Sequence, residues 1–534
     1  MNTALMTQPP KFQHFVSRLL LSMLAATLLS GCATNAVTGK RNFQFYGEDW
    51  EQQIGAQMYA PLKQSQGGDL VLDPQLTAYV QSVGDRLARQ ARRKEQLDFE
   101  FSVLNDSTPN AWALPGGKIV VNRGLLTELD SEAELAAVLG HEIVHADAAH
   151  GARAQSKGML TQVGAVVSMV VLGSTIDNAA GREIAMLVPQ VGAQLLNQKY
   201  GRDAERESDH YGMIYMSEAG YNPQGAVELQ ETFLKLSEGR NQDWMSGLFA
   251  SHPPSRERLQ NNIETAKSLP QEGETGRSRY QESMAYLRRV QPAYEAYDEA
   301  NKLASEDKLT EAQAKLDRAM ALEPRESLFH ALQGDIHAMN EKTRPALAAY
   351  TKAINANPQL FYGYLRRGQV EYKRSQSDAA RPDLEKSLEL MPTAEAHYLL
   401  GVLDKNRGQA QLAMKHFQAA AGSESATGQK ARGELVRMDL PQNPARYVPS
   451  KAVVDKSNMV WAVFANQSGL ALKNIEVSYA WRDDAGRTRS SKTLYNGPLP
   501  NGKQDNVRLG IQLNSAAELE QRVLVEITAA QIAE

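Results

Sequence analysis

Ser131-Glu-Ala-Glu-Leu-Ala-Ala-Val-Leu-Gly-His-Glu-Ile-Val-His145 is the stretch that decides how this chain is read. Ser131 with Glu134 three residues later is a capping-box pattern, and Leu135, Val138 and Leu139 keep helical spacing up to His141. The spacing predicts one helix from Asp130-Ser131 through His145. Residues four apart on a helix differ by about 40° in direction, so His141 and His145 present both imidazoles to one side. That pairing suits two bonds to a single zinc ion, with Glu142 placed to accept a proton from water activated there. One zinc per chain, and hydrolysis of peptide bonds, are the chemistry this pattern predicts.

A third ligand has to come from elsewhere. His150 lies five residues after His145, whereas in the metzincin pattern a glycine turns the chain and the third histidine comes six residues on; here the turn position is Ala148. If the helix continues, His150 points about 140° away from His145, so it reads as structural. Glu205, within Tyr200-Gly-Arg-Asp-Ala-Glu-Arg-Glu-Ser-Asp209, is the better candidate. A helix there aims Glu205 at the zinc and lets Asp209, four residues on, accept a hydrogen bond from a ligand imidazole. Glu207 points elsewhere on such a helix, toward solvent or an arginine.

Outward from this site the chain divides by composition. With 534 residues, 42% hydrophobic and 22% charged, it is long enough for several globular domains. A net charge of -4 gives no reason to expect nucleic-acid binding. Residues 1–31 read as a signal peptide: Lys11, His14 and Arg18, then the apolar run Leu19–Leu29, shorter than the roughly 20 residues of a spanning helix. Leu29-Ser30-Gly31-Cys32 resembles the bacterial lipobox, which implies lipidation of Cys32, the chain's single cysteine. Ala33 after it implies sorting to the outer membrane, with residues 32–46 as a lipidated tether. Residues 47–270 form the expected metallopeptidase domain, with helices at about 47–63 and 73–93 and strands at Phe99–Leu104 and Lys118–Val121. The apolar run 159–172 reads as a buried helix, a lid or a membrane-dipping segment.

Residues 271–292 read as a linker helix, and 293–425 as a repeat array. Pro324, Pro358 and Pro392 are 34 residues apart, as are Gly334 and Gly368, the period of tetratricopeptide (TPR) repeats. Such repeats stack into a solenoid with a concave binding face. Residues 446–534 carry short strand-like runs between turn signals and read as a small β-sandwich. The expected fold class is therefore mainly α: a helical zincin-type domain with a small β-sheet, a TPR α-solenoid and a C-terminal β-sandwich.

His141-Glu-x-x-His145, the downstream Glu205-x-x-x-Asp209, Ser251-His-Pro-Pro-Ser255, Asn110-Ala-Trp-Ala-Leu-Pro-Gly-Gly117 and Asn122-Arg-Gly-Leu-Leu126 occur in that combination here. Together they resemble the HtpX-like and BepA-like gluzincin metallopeptidases over about residues 45–265. Ser208 departs from the alanine usual before the aspartate, and the terminal β-domain has no counterpart in that picture. The resemblance implies an edge strand for extended substrate supplied by 110–121, with Asn110, Ala111, Trp112 and Ala113 along it. It also implies that His252 reaches the cleft, either to stabilise the oxyanion or to occupy zinc's open position; Arg258, six residues later, reads either as a support of the cleft or as an ordinary salt-bridge partner. The function implied is a lipid-anchored periplasmic endopeptidase at the outer membrane that degrades misfolded or stalled envelope proteins. Its repeats would recruit unfolded substrate or the outer-membrane protein assembly machinery. The rival reading is an assembly chaperone or scaffold that works through repeat-mediated binding.

Overall fold

The computed structural model describes residues 32–158, 200–239 and 252–533. The signal segment 1–31 and the apolar run 159–172 lie outside the described residues. The chain forms two compact units, Met1–Leu360 and Phe361–Glu534. Among the described residues no helix is long and apolar enough to cross a membrane.

The first unit opens differently from the expected tether. Strand β1 (Cys32–Thr34) pairs antiparallel with β2 (Arg41–Phe43). Asn35 makes the turn, its Oδ1 accepting from the Val37 and Thr38 amides at 2.9 and 3.2 Å, and Val37 is buried in the main core. A largely polar and small-residue composition therefore hid a hairpin whose Val37 docks on the domain. Helices α1 (Glu48–Ser65) and α2 (Pro74–Ala88) follow, α2 capped by Asp73 with Pro74 at its first turn.

Three strands form the domain's sheet: β3 (Glu100–Leu104), β4 (Ala111–Leu114) and β5 (Lys118–Asn122), in the order β3-β5-β4. β3 runs parallel to β5, while β4 pairs antiparallel with it, Ala111 opposite Val121. The β4–β5 turn needs Gly116 and Gly117, both left-handed at φ 85° and 90°. β4 is thus an edge strand.

Helix α3 (Glu132–Asp147) carries the His-Glu-x-x-His pattern and begins where the capping box predicts. Ser131 Oγ accepts from the Glu134 amide at 3.2 Å, and Glu134 Oε2 accepts from the Asp130 amide at 3.3 Å. Burial pushes the Glu134 carboxyl up to about 7. Every residue of α3 is buried, so the helix is the domain's central rod rather than an amphipathic surface element. Around it lie the sheet, α2, α4 (Arg202–Glu218) and α5 (Gln224–Gly239), with α6 (Arg256–Ser268) against α4 and α5.

The linker and the first repeat helix prove to be continuous. One helix spans Ala285–Ser305 with Pro292 inside it, so the expected boundary at 292/293 falls mid-helix. Tyr280, Leu287, Val290 and Phe329 share one apolar cluster with Leu135, Ile143 and Met213, so the first repeats are built onto the core around α3. Ala285–Ser305 packs with Leu309–Leu322, and Ser327–Met339 with Thr343–Ala356.

In the second unit, Phe361–Lys373 packs with Ser377–Leu390, and Ala394–Asn406 with Ala410–Ala421. The recurring glycines have one packing reason. A Cβ on Gly334 would meet the Tyr350 ring at 2.4 Å, one on Gly368 would meet Leu384 Cγ at 3.0 Å, and one on Gly401 would meet the Phe417 ring at 2.8 Å. In each repeat the first helix leaves a gap that the large residue of the second fills. After Ala426–Asp439 come two three-stranded antiparallel sheets, one with order β10-β7-β6 and one with β11-β8-β9. Their strands are Ser450–Val454, Met459–Ala465, Leu472–Arg482, Thr488–Tyr495, Gln504–Gln512 and Val523–Ile532 for β6 to β11. Phe464, Val477, Leu509 and Ile527 from both sheets share one apolar cluster.

Candidate metal centre

The geometry of the centre follows from a close helix crossing. A Cβ on Gly140 would lie 3.0 Å from the Gly212 carbonyl oxygen, and one on Gly212 would lie 3.0 Å from the His141 amide nitrogen. α3 and α4 therefore touch backbone to backbone one residue before His141. That contact brings Asp209 and Glu205, one and two turns N-terminal of Gly212, against the two histidines.

Four groups converge there: His141, His145, Glu205 and His252, all buried, each offering one ligand atom with all four atoms within 4.8 Å of one another. His145 Nε2 is 3.0 Å from His141 Nε2, and Glu205 lies 3.4 Å from His145 Nε2 and 3.6 Å from His141 Nε2. His252 Nδ1 is 3.2 Å from His141 Nε2 and 2.9 Å from Glu205 Oε1. Zinc held at about 2.0–2.1 Å by tetrahedral ligands separates them by about 3.3 Å, and these distances scatter around that value. The donor chemistry agrees. His141 Nδ1 lies 2.9 Å from Asp209 Oδ1 and donates its proton there, which leaves a lone pair on Nε2 facing its neighbours. Buried lone pairs aimed at one another are costly unless a cation lies between them. The residues fit a zinc ion.

Charges around the centre are arranged to keep the ligands in binding form. Burial holds the His145 imidazole well below its usual range, so the ring is neutral at physiological pH. For Glu205, burial works upward, but the histidines that face it outweigh burial and hold the carboxyl below its ordinary range. Asp209 is likewise lowered: burial opposes ionisation and Arg258 overcomes it. Arg258 Nε and Nη2 each donate to Asp209 at 2.7 Å, and Nη1 lies 3.0 Å from Glu205 Oε2. Arg258 thus supports two carboxylates of the centre at once.

Glu142 is 2% exposed, and its Oε2 has no hydrogen-bond partner among the described residues. Its Oε1 lies 3.7 Å from His252 Nε2. On one side of the centre, Val138, Glu142, Met213, Phe233 and His252 line a pocket. On the other, Ala113 and Leu114 of β4 line a small cavity with His145 and Tyr200. Along β4 the side chains alternate: Trp112 turns away to pack with Ile54 and Tyr59, its Nε1 donating to Gln66 at 3.3 Å. Of the strand residues singled out in the sequence, Ala113 is the one whose side chain lines that cavity. Ala111 is buried in the main core, and the Asn110 carbonyl accepts from the Asn122 amide at 2.8 Å.

His150 departs from the sequence reading. The helix does not continue past Asp147; Ala149 is left-handed at φ 53°, and a new helical segment starts at 150. The rotation that pointed His150 away therefore does not apply, and its Nδ1 lies 2.9 Å from His145 Nδ1. Glu207 is not solvated: its Oε1 contacts His150 Nε2 at 3.2 Å, Asn35 Nδ2 at 2.6 Å and Arg153 Nη1 at 3.5 Å. Tyr200 was visible in sequence only as the head of a motif. Its ring lies over His145, centroids 4.0 Å apart.

The chain matches the model of peptidase family M48 over residues 74–266, a span that holds all four converging groups. It is also 31% identical over 184 residues to the metalloprotease YcaL of Escherichia coli (strain K12), covering 33% of this chain and 67% of that relative. The chain belongs to peptidase family M48. Zinc metallopeptidase chemistry is that of the family, and His141, His145 and Glu205 in the M48 domain fit its zinc site.

Other relatives are matched over less of their length. The beta-barrel assembly-enhancing protease of E. coli (strain K12) is 31% identical over 39% of this chain and 42% of its own. The mitochondrial metalloendopeptidase OMA1 of Arabidopsis thaliana is 29% identical over 40% of this chain and 44% of its own. This chain thus spans about half or less of those two relatives. Among solved structures, the TPR protein YrrB aligns with 29% of this chain and 81% of its own at 24% identity and a TM-score of 0.25.

The glycine crossing in the M48 domain gives a direct expectation. Gly212→Leu wedges α3 and α4 apart by an ångström or so, and misplacement on that scale costs about 100-fold in rate. Cleavage assays and zinc analysis on the purified variant check this; a wild-type rate with full zinc would show that the crossing does not set the centre.

Proposed function

We propose that this chain is a zinc-dependent endopeptidase of the bacterial envelope, anchored through lipidated Cys32, that degrades misfolded or stalled outer-membrane proteins. The observation that carries the peptidase reading is the convergence of His141, His145 and Glu205 beside a buried Glu142 whose Oε2 is free. Bound zinc supplies the charge that polarises a peptide carbonyl and acidifies water. Glu142 is the group that takes the proton from that water and delivers it to the departing nitrogen, and its free Oε2 suits both steps.

Extended substrate lies along the β4 edge by main-chain pairing, with a side chain in the pocket formed by Val138, Met213 and Phe233. With Nδ1 at 3.2 Å from His141 Nε2 and 2.9 Å from Glu205 Oε1, His252 would be a fourth residue holding the zinc rather than an oxyanion donor. Asp209 holds the His141 ring through its 2.9 Å contact. The envelope role is supported by the lipobox-like Leu29–Cys32 and by similarity to the beta-barrel assembly-enhancing protease of E. coli. The repeats recruit unfolded chains or the assembly machinery, and the periplasmic face of the outer membrane is where anchor and substrate meet.

Complementation of a strain lacking the chain separates cleavage from scaffolding. Wild type should clear misassembled outer-membrane proteins and Glu142→Gln should not. Full rescue by Glu142→Gln would overturn the proteolytic account in favour of an assembly scaffold.

A further inference from the structure

The two ligand histidines are held differently. His141 Nδ1 reaches a carboxylate directly, at 2.9 Å from Asp209. His145 Nδ1 reaches another imidazole, His150 Nδ1, at 2.9 Å. The protons follow from the geometry. With its Nε2 lone pair turned to the metal centre, His145 carries its proton on Nδ1 and donates it to His150 Nδ1. His150 then carries its own proton on Nε2, which faces Glu207 Oε1 at 3.2 Å. Ser208 Oγ, at the position that departs from the family's alanine, lies 3.4 Å from the same His150 Nδ1. Glu207 Oε1 in turn accepts from Asn35 Nδ2 at 2.6 Å. His145, His150 and Asn35 are all buried.

Asn35 sits in the turn of the N-terminal hairpin, three residues after Cys32. The hairpin is docked at a second point too: the Phe45 amide donates to Ser156 Oγ at 2.9 Å, on the helical segment that begins with His150. The first contact ties the hairpin turn to α4 through Glu207, and the second ties Phe45, two residues past the hairpin, to the segment that begins with His150.

We propose that Asn35, Glu207 and His150 are positioning residues of the metal centre, through which the N-terminal hairpin sets the tautomer and orientation of the ligand His145. The hairpin is then part of the metal site, and a chain whose hairpin is lifted off holds zinc less tightly. This rests on the zinc reading of His141, His145 and Glu205.

The test is zinc affinity of the full chain, measured by competition with a chromophoric chelator alongside thermal unfolding of the zinc-free protein. Asn35→Asp is the clean variant. It keeps an Oδ1 acceptor for the Val37 and Thr38 amides, while removing the donor to Glu207 and setting two carboxylates face to face. His150→Phe keeps a ring and removes both nitrogens. Loss of such outer partners weakens metal binding by about 10–100-fold, the range expected for His150→Phe, with about three- to tenfold for the more distant Asn35→Asp. A merely structural role would lower the melting temperature and leave Kd unchanged. If His150→Phe does not fold, Glu207→Gln replaces it. Wild-type Kd in folded Asn35→Asp and in folded His150→Phe or Glu207→Gln overturns the inference and leaves the zinc reading standing. A wild-type chain that binds no zinc removes the peptidase reading itself.

Discussion

Glu142→Gln is expected to lower peptide cleavage by about 100- to 10,000-fold while leaving one zinc per chain in place, the range for loss of a positioned general base. Glu142 lies next to His141 in sequence, yet Glu205, not Glu142, stands among the metal-facing groups. An amide keeps its size and its place in the buried wall but takes no proton. The loss should fall on kcat with KM little changed, because the role proposed for Glu142 lies in the transition state rather than in substrate binding. Steady-state kinetics on an unfolded outer-membrane protein, with zinc analysis of the same preparation, reads both. A variant that retains more than about one tenth of wild-type kcat would assign the base elsewhere.

Arg258→Met should destabilise the zinc-free M48 domain by about 3–5 kcal/mol, the cost of breaking a buried ion pair by removing one partner. The Arg258 side chain is 9% exposed and that of Asp209 is 7%, so solvent screens little of the interaction. Methionine fills the space of the stem but leaves Asp209 facing only His141, and Glu205 without its cation at 3.0 Å. Bound zinc supplies positive charge nearby and should reduce the difference. Urea unfolding with and without zinc measures the effect; a loss under about 1 kcal/mol in the zinc-free protein would show that Arg258 is an ordinary surface-like pair.

How much of this was legible in sequence depended on range. The capping box at Ser131, the i, i+4 histidines and the i, i+4 spacing of Glu205 and Asp209 are local patterns, and α3 and α4 follow them. The 34-residue period was legible because one packing event, a large side chain over a glycine, repeats. His150 stays outside the metal-facing set as expected, but its direction does not follow the helix: nothing in Ala146-Asp-Ala-Ala149 announces a break, since alanine is the best helix former and yet Ala149 adopts φ 53°. The hairpin at 32–43 was missed because three-residue strands carry no periodicity, and its docking rests on Val37 and on Asn35 meeting Glu207 172 positions away. β4 is four residues long, with only Ala113 partly exposed, so no alternation marks it and only the resemblance pointed to it. The boundary expected at 292/293 falls inside one helix, Ala285–Ser305, which runs through Pro292.

The central claim is that His141, His145 and Glu205 hold one zinc ion. Metal analysis of the wild-type chain and of Glu205→Ala, both purified without chelators, tests it most directly. The account predicts one zinc per wild-type chain and loss of that zinc in folded Glu205→Ala. A metal-free wild-type protein that still cleaves peptides, or full zinc in Glu205→Ala, would contradict it.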